Sequence, residues 1–244
     1  MRFVPTDGSY TDVNNDGVPD LAIGRFPVRS RAELDMVVAK TLAYQSKGYG
    51  RTALFAADEN DGTSFKAISN AFSSSLPPSW SQETANLDDL DVGTARAKVI
   101  DAMNRGTALI TYTGHSEPVS WAAQNLFELR DTSTLTNVGK PFVVVQWGCW
   151  NTYYVDPIYT YMVQGFLFSG DRGAAAVLGA TTLTDAGSER LLGNLLTPRL
   201  ATPGVSIGKA LRDAKVELAK NHPDLSDVLL GWTLMGDPEL VVDP

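Results

Sequence analysis

The stretches TALITYTGHS (residues 107–116) and FVVVQWGCW (residues 142–150) each lead from a largely apolar run through a glycine to a chemically reactive side chain. A run that is apolar at successive rather than alternate positions suits a strand covered on both faces, as in a parallel sheet between helices. Two further runs have this character, RTALFAA at 51–57 and GAAAVLG at 173–179. Helical spacings separate the four: Phe65, Ile68 and Phe72; Ala95, Val99 and Met103; Tyr161, Val163, Phe166 and Leu167. The alternation predicts an α/β fold, a mainly parallel sheet flanked by helices on both faces with right-handed crossovers. Ligands then bind beyond the C-terminal strand ends.

Working outward, LAIGRFPV (21–28) reads as a strand closed by Pro27. Ser30-Arg31-Ala32-Glu33 reads as a capping box that opens a helix over 31–46. Leu34, Val37, Val38 and Leu42 give that helix an apolar face. Helices are also expected near 187–200 and 206–220, and a last strand at LVV (240–242), with Gly236-Asp237-Pro238 as a turn before it. The Pro- and Ser-rich stretch 73–81 does not have the character of a domain linker. No internal repeat or low-complexity segment is present, and the pattern predicts one domain over 1–244.

Of the 244 residues, 43% are hydrophobic and 20% charged, the balance of an ordinary globular chain. No apolar run approaches the roughly 18–20 residues of a membrane span. The start, MRFVPTDGSY, carries neither the basic region nor the apolar stretch of a secretory signal. The formal charge of −8 disfavours nucleic acid as a partner, since phosphates need a basic stripe, and favours cationic substrates. With one cysteine, an internal disulfide is excluded and a cysteine-rich structural zinc site disfavoured.

His115 and Cys149 stand at equivalent positions, just past the ends of two core strands. If those strands are neighbours, imidazole and thiol share one crevice. Such a pair suits covalent catalysis: the thiolate is the nucleophile, and the imidazole promotes its formation and then protonates the leaving group. The other histidine, His222, lies in the polar segment KNHPD and reads as an exposed loop residue.

The strings DVNNDGVPDLAIGRFPVRSRAELDMVVAKTLAYQ, YTGHSEPVSW, GAAAVLGATT and WTLMGDPELVV occur in this order from about residue 10 to the C-terminus. Together they resemble the gingipain-type cysteine peptidases (family C25-like), which share the caspase-like fold. The resemblance implies a cysteine endopeptidase acting through a thioester acyl-enzyme on protein or peptide substrates, with no organic cofactor and a secreted or cell-surface setting. It maps the histidine onto His115 and the nucleophile onto Cys149. The backbone N–H groups of Ser116 and Cys149 would form the oxyanion hole, although the family has Gly where Ser116 stands. Trp147 and Trp150 are bulkier than the family's small residues flanking the nucleophile and would shape the substrate pocket. Glu59 is implied as the acid orienting the imidazole, with Asp58 as its rival. Family members often cleave after Arg or Lys; Asp185 or Asp61 would supply the acid of such a first pocket, Asp185 also reading as a helix N-cap.

A separate constellation, Asp12, Asn14, Asp16, Gly17 and Asp20, spaces side-chain oxygens at alternate positions around a glycine. With the Val18 carbonyl this is the layout of a calcium loop, though Ile23 replaces the bidentate Glu of an EF-hand. The competing reading is an Asx-turn without an ion. A catalytically silent, calcium-stabilised surface or interaction module is the alternative function on the same fold.

Overall fold

The computed structural model describes residues 4–46 and 50–243. After a short 3-10 turn at Gly8–Tyr10, the elements follow in order: α1 Arg31–Ser46, β1 Thr52–Ala57, α2 Phe65–Ser74, β2 Ser81–Asn86, α3 Val92–Arg105 and β3 Leu109–Thr113. Three short strands come next, β4 Ser116–Glu117, β5 Ser120–Trp121 and β6 Phe127–Glu128, then α4 Leu129–Thr132. The remainder is β7 Phe142–Trp147, α5 Met162–Leu167, β8 Ala174–Ala180, α6 Ala186–Leu200, α7 Ile207–Asn221, α8 Ser226–Gly231 and β9 Trp232–Met235.

Six strands form the main sheet in the order β2-β1-β3-β7-β8-β9, and the small sheet is β4-β5-β6. Every neighbouring pair of the main sheet is parallel except β8 with β9. Side chains of each central strand divide between two cores, as the pleat demands. Phe55, Leu109, Val143, Val145, Trp147 and Leu178 pack on the α2, α6 and α7 side. Leu54, Ile110, Tyr112, Val144 and Val177 face α3, α5 and the small sheet. The predicted α/β architecture with helices on both faces is present.

Four sequence expectations meet corrections. LAIGRFPV is no strand: among its residues only Arg25 bridges, to Met235. The last strand is Trp232–Met235, and of LVV only Val241 makes an isolated bridge. β2, SQETAN, escaped notice because it is a polar edge strand. The fourth concerns α1, whose span agrees with the prediction but whose apolar stripe is turned outward: Leu34, Val38 and Leu42 are exposed, while Val37, Lys40, Thr41 and Tyr44 are buried. Polar tips with partners decide that orientation. Tyr44 Oη donates to the Ala108 carbonyl at 3.1 Å, and Lys40 Nζ donates to the carbonyls of Phe166, Leu167 and Arg172 at 3.1, 2.5 and 3.0 Å. Carbonyls at the end of α5 lack intrahelical donors, and a buried ammonium there satisfies them.

Candidate active site

The site forms where β3 and β7, adjacent and in register from Leu109↔Val143 to Thr113↔Trp147, leave the sheet. Pairing continues one step further, the Gly114 N–H donating to the Trp147 carbonyl at 2.9 Å. Both exits need glycine. A Cβ on Gly148 would lie 2.3 Å from the Gly114 carbonyl oxygen and 2.5 Å from Ser116 Oγ; one on Gly114 would lie 2.3 Å from Asp58 Cβ. Close backbone approach therefore brings the His115 and Cys149 turns side by side.

Asp58, buried at the end of β1, fixes the histidine's backbone: its Oδ2 accepts the His115 N–H at 3.0 Å, and its Oδ1 the Glu59 N–H at 2.8 Å. Burial pushes its carboxyl above the usual range. Tyr112 Oη donates to the His115 carbonyl at 2.5 Å. The exposed imidazole lies edge-on to Phe65, ring centroids 5.1 Å apart, and its Nε2 is 2.6 Å from Asp61 Oδ2. That contact is the main cause holding the Asp61 carboxyl below its ordinary range. Glu59, by contrast, accepts a hydrogen bond from Gln124 Nε2. Of these acids it is Asp61, three residues beyond Asp58 on the same loop, and not Glu59, that contacts the imidazole.

Cys149 is partly exposed. Its Sγ is 3.4 Å from the Thr184 backbone nitrogen, 3.4 Å from the Thr184 carbonyl oxygen and 3.7 Å from Thr184 Oγ1. His115 and Cys149 form no hydrogen bond with each other here; the ring leans on Asp61. The Cys149 N–H has no hydrogen-bond partner among the described residues, as an oxyanion donor requires. Ser116 turns its hydroxyl onto the Cys149 carbonyl at 2.7 Å, tying the two turns together. Buried Asn151 adds a second tie, donating to the carbonyls of Gly148 and Gln146 at 2.6 and 3.1 Å and accepting from the Ala180 N–H at 3.0 Å.

The pocket expectations divide. Trp147 is fully buried, stacked on Trp232 at 3.9 Å, and belongs to the core rather than to a pocket. Trp150 is 39% exposed and left-handed, with φ 54°, and stands beside the nucleophile. Asp185 caps α6, accepting the N–H groups of Gly187 and Ser188 at 2.8 and 3.2 Å, so its helix-cap reading holds. A cleft of about 310 Å³ opens beside His115, lined by Ser116, Glu117, Ser120, Ala122, Ala123 and Asn125. Glu117 is exposed, and although its backbone pairs with Ser120, its carboxylate makes no hydrogen bond or ion pair among the described residues. Its signal in the sequence was plain, an acid two residues after the histidine, but nothing marked it as unpaired.

Sequence reasoning also missed Glu189, buried in α6 behind the nucleophile. Its Oε1 accepts from Thr184 Oγ1 at 2.9 Å and from Trp232 Nε1 at 3.2 Å, and the Gly148 backbone N–H faces the same carboxyl and favours its ionised form. Burial pushes its pKa up to about 8.

At the N-terminus, Asp12 accepts the N–H groups of Asp16 and Gly17 at 3.0 and 2.8 Å. Asn14 accepts that of Asp16 at 2.9 Å, Asp16 that of Val18 at 2.9 Å, and Asp20 those of Val13 and Asn14 at 2.8 and 3.3 Å. These are stacked Asx turns. They use part of each carboxylate's acceptor capacity and leave lone pairs for a cation. No group of three or more His, Cys, Asp or Glu side chains gathers around a common point among the described residues.

A family model described as peptidase family C25 matches residues 2–243. Gingipain R2 of Porphyromonas gingivalis is 21% identical over 248 residues, covering 94% of this chain and 34% of that protein. Gingipain R1 of the same species is 21% identical over 248 residues and covered to 25%. The chain thus spans a third or less of these relatives. Among solved structures, the Arg-specific cysteine proteinase gingipain R (RGPB) superposes with a TM-score of 0.84 at 20% identity, over 98% of this chain and 59% of that one. The same protease as a complex of its pro- and mature domains gives 0.82 at 20% identity, over 98% of this chain and 60% of that one.

Proposed function

The chain belongs to peptidase family C25, and from that premise we propose that it is a cysteine endopeptidase with Cys149 as nucleophile and His115 as acid–base group. The observation that carries the reading is the β3–β7 register, which ends both strands level and sets Gly114-His115 against Gly148-Cys149. The imidazole is 62% exposed and free to swing from Asp61 toward the sulfur on substrate binding; catalytic hydrogen bonds often tighten only in the complex.

In the first half-reaction the Cys149 thiolate attacks the scissile carbonyl carbon, and the oxyanion takes the Cys149 N–H and, by family analogy, that of Ser116. His115 then protonates the leaving amine and a thioester remains. In the second half-reaction His115 takes a proton from water, hydroxide attacks the thioester, and Cys149 leaves as thiolate. Asp61 holds the imidazole between turnovers and balances its positive charge.

Basic substrates are part of the same proposal. The solved relative is an Arg-specific proteinase, this chain carries a formal charge of −8, and the cleft beside His115 has one acid and no Lys or Arg in its lining. Since Asp185 and Asp61 are engaged elsewhere, Glu117 is the carboxylate we assign to a substrate cation, with Trp150 as an apolar wall. Calcium at Asp12, Asn14, Asp16, Val18 and Asp20 is proposed on the oxygen spacing and the Asx-turn order, and an extracellular setting on kinship with the gingipains.

The test is a cleavage profile on a mixed peptide library. The expected result is cuts next to Arg or Lys in the native chain, and none with Cys149→Ala. A cut pattern that survives Cys149→Ala would overturn the mechanism, and equal cleavage beside Leu or Asn would overturn basic specificity alone.

A further inference from the structure

Glu189 sits on the first turn of α6, 5% exposed, and its hydrogen-bond partners include no cation. Burying an isolated carboxylate is costly, so a group in this position either pairs or stays neutral. Three elements converge on it. Gly148 precedes the nucleophile at the exit of β7, Thr184 follows β8, and Trp232 opens β9. Of the three, Thr184 is the informative one, because it also surrounds the Cys149 sulfur with its N–H at 3.4 Å and its hydroxyl oxygen at 3.7 Å.

One hydroxyl proton therefore has two possible acceptors. If Glu189 were ionised, the Thr184 O–H would point to it at 2.9 Å and away from sulfur. As a neutral acid, Glu189 donates its own O–H to Thr184 Oγ1, and the Thr184 proton turns to the sulfur. Thr184 then offers Sγ two donors, N–H and O–H, which favour thiolate over thiol and together outweigh the one acceptor it presents, its carbonyl oxygen at 3.4 Å.

We propose that Glu189 is a positioning residue that acts through Thr184: as a neutral acid it directs the threonine hydroxyl onto Cys149 and stabilises the thiolate. The inference rests on the cysteine-peptidase reading. Burial supports it by pushing the Glu189 pKa up to about 8, which leaves the acid protonated at neutral pH. The charged and titratable groups facing it point the same way or are engaged elsewhere. Asp227 of α8 opposes its ionisation, Tyr112 of β3 stays protonated by burial, and Lys215 of α7 donates to the Trp232 carbonyl at 2.5 Å rather than to Glu189.

The experiment is the rate of Cys149 alkylation by iodoacetamide against pH, which reports the thiolate without needing a substrate. The native chain sets the reference midpoint. Thr184→Val, which keeps the volume but removes the hydroxyl, should raise the midpoint and slow alkylation at pH 6.5 roughly tenfold, one pKa unit's worth. Glu189→Ala should do the same, while Thr184→Ser, which keeps the hydroxyl, should stay within about threefold of the native chain. An unchanged midpoint in Thr184→Val, or a Thr184→Ser variant as slow as Thr184→Val, overturns the inference; should the Ala variant not fold, a Thr184→Val midpoint at the native value still does so. Peptide cleavage that survives Cys149→Ala overturns the peptidase reading itself, and this inference with it.

Discussion

At the scale of single residues, the acid beside the histidine is where sequence and geometry part. The sequence offers Glu59, with Asp58 as its rival, at the strand end, and reads Asp61, two positions beyond Glu59, as an acid of the substrate pocket. The fold gives the ring to Asp61 at 2.6 Å and sends Glu59 to Gln124. Asp61→Asn should therefore lower kcat/KM about tenfold, within the range for a group assisting proton transfer. Glu59→Gln should stay within about twofold. Steady-state rates on one fluorogenic peptide compare the two, and the reverse ranking would restore Glu59. His115 and Cys149 were legible because each ends an apolar run at a glycine. Glu189, Thr184 and Asn151 were not, since their importance lies in contacts across 3 to 43 residues that no local pattern encodes.

Whole elements read well where both faces are buried and poorly where they are not. β1, β3, β7 and β8 are continuous apolar runs, and the structure begins and ends them within two residues of expectation. β2 at the sheet edge has the exposed pattern of a half-solvated strand and no such run. α1 shows the opposite failure, since its Leu34, Val38 and Leu42 stripe looked like a core face and its buried side carries Lys40 and Thr41. Apolar periodicity counts side chains but not the carbonyls at the end of α5 that Lys40 satisfies. The Asp12–Asp20 loop is the element on which an ion remains a proposal. If calcium binds the native state alone, a hundredfold excess over Kd stabilises by about 2.7 kcal/mol. Chelator should then lower the Tm, and Asp16→Ala should remove that sensitivity. An identical melt of metal-stripped protein with and without calcium would leave the loop as Asx turns.

The molecule as a whole has buried ionisable groups whose linkage is measurable. Lys215 is lowered to about 7 by burial, so between pH 7 and its ordinary 10.5 the unfolded chain binds a proton that the native chain does not. Stability from this group therefore rises with pH in that window. Lys40 is shifted the same way by burial, with the Asp171 carboxylate opposing the shift. Glu189, raised to about 8, has the opposite sign: its contribution is fullest below about 4.5 and is lost as pH climbs to 8. Urea unfolding should thus show rising stability from pH 8 to 9.5, with a smaller rise in Lys215→Met; a fall over that interval would contradict the assignment. The doubly covered parallel sheet was readable from four runs and their spacing, and with it the edge on which chemistry sits. The pairing of β3 with β7 was only a condition there, and the whole catalytic account stands on it. The most direct measurement is active-site labelling followed by intact-mass and peptide-mass analysis, using a peptidyl chloromethyl ketone ending in Arg. One adduct per chain is expected, on Cys149, formed at a rate that falls by orders of magnitude in His115→Ala. Label spread over other side chains, or Cys149 labelled equally fast without His115, would contradict it.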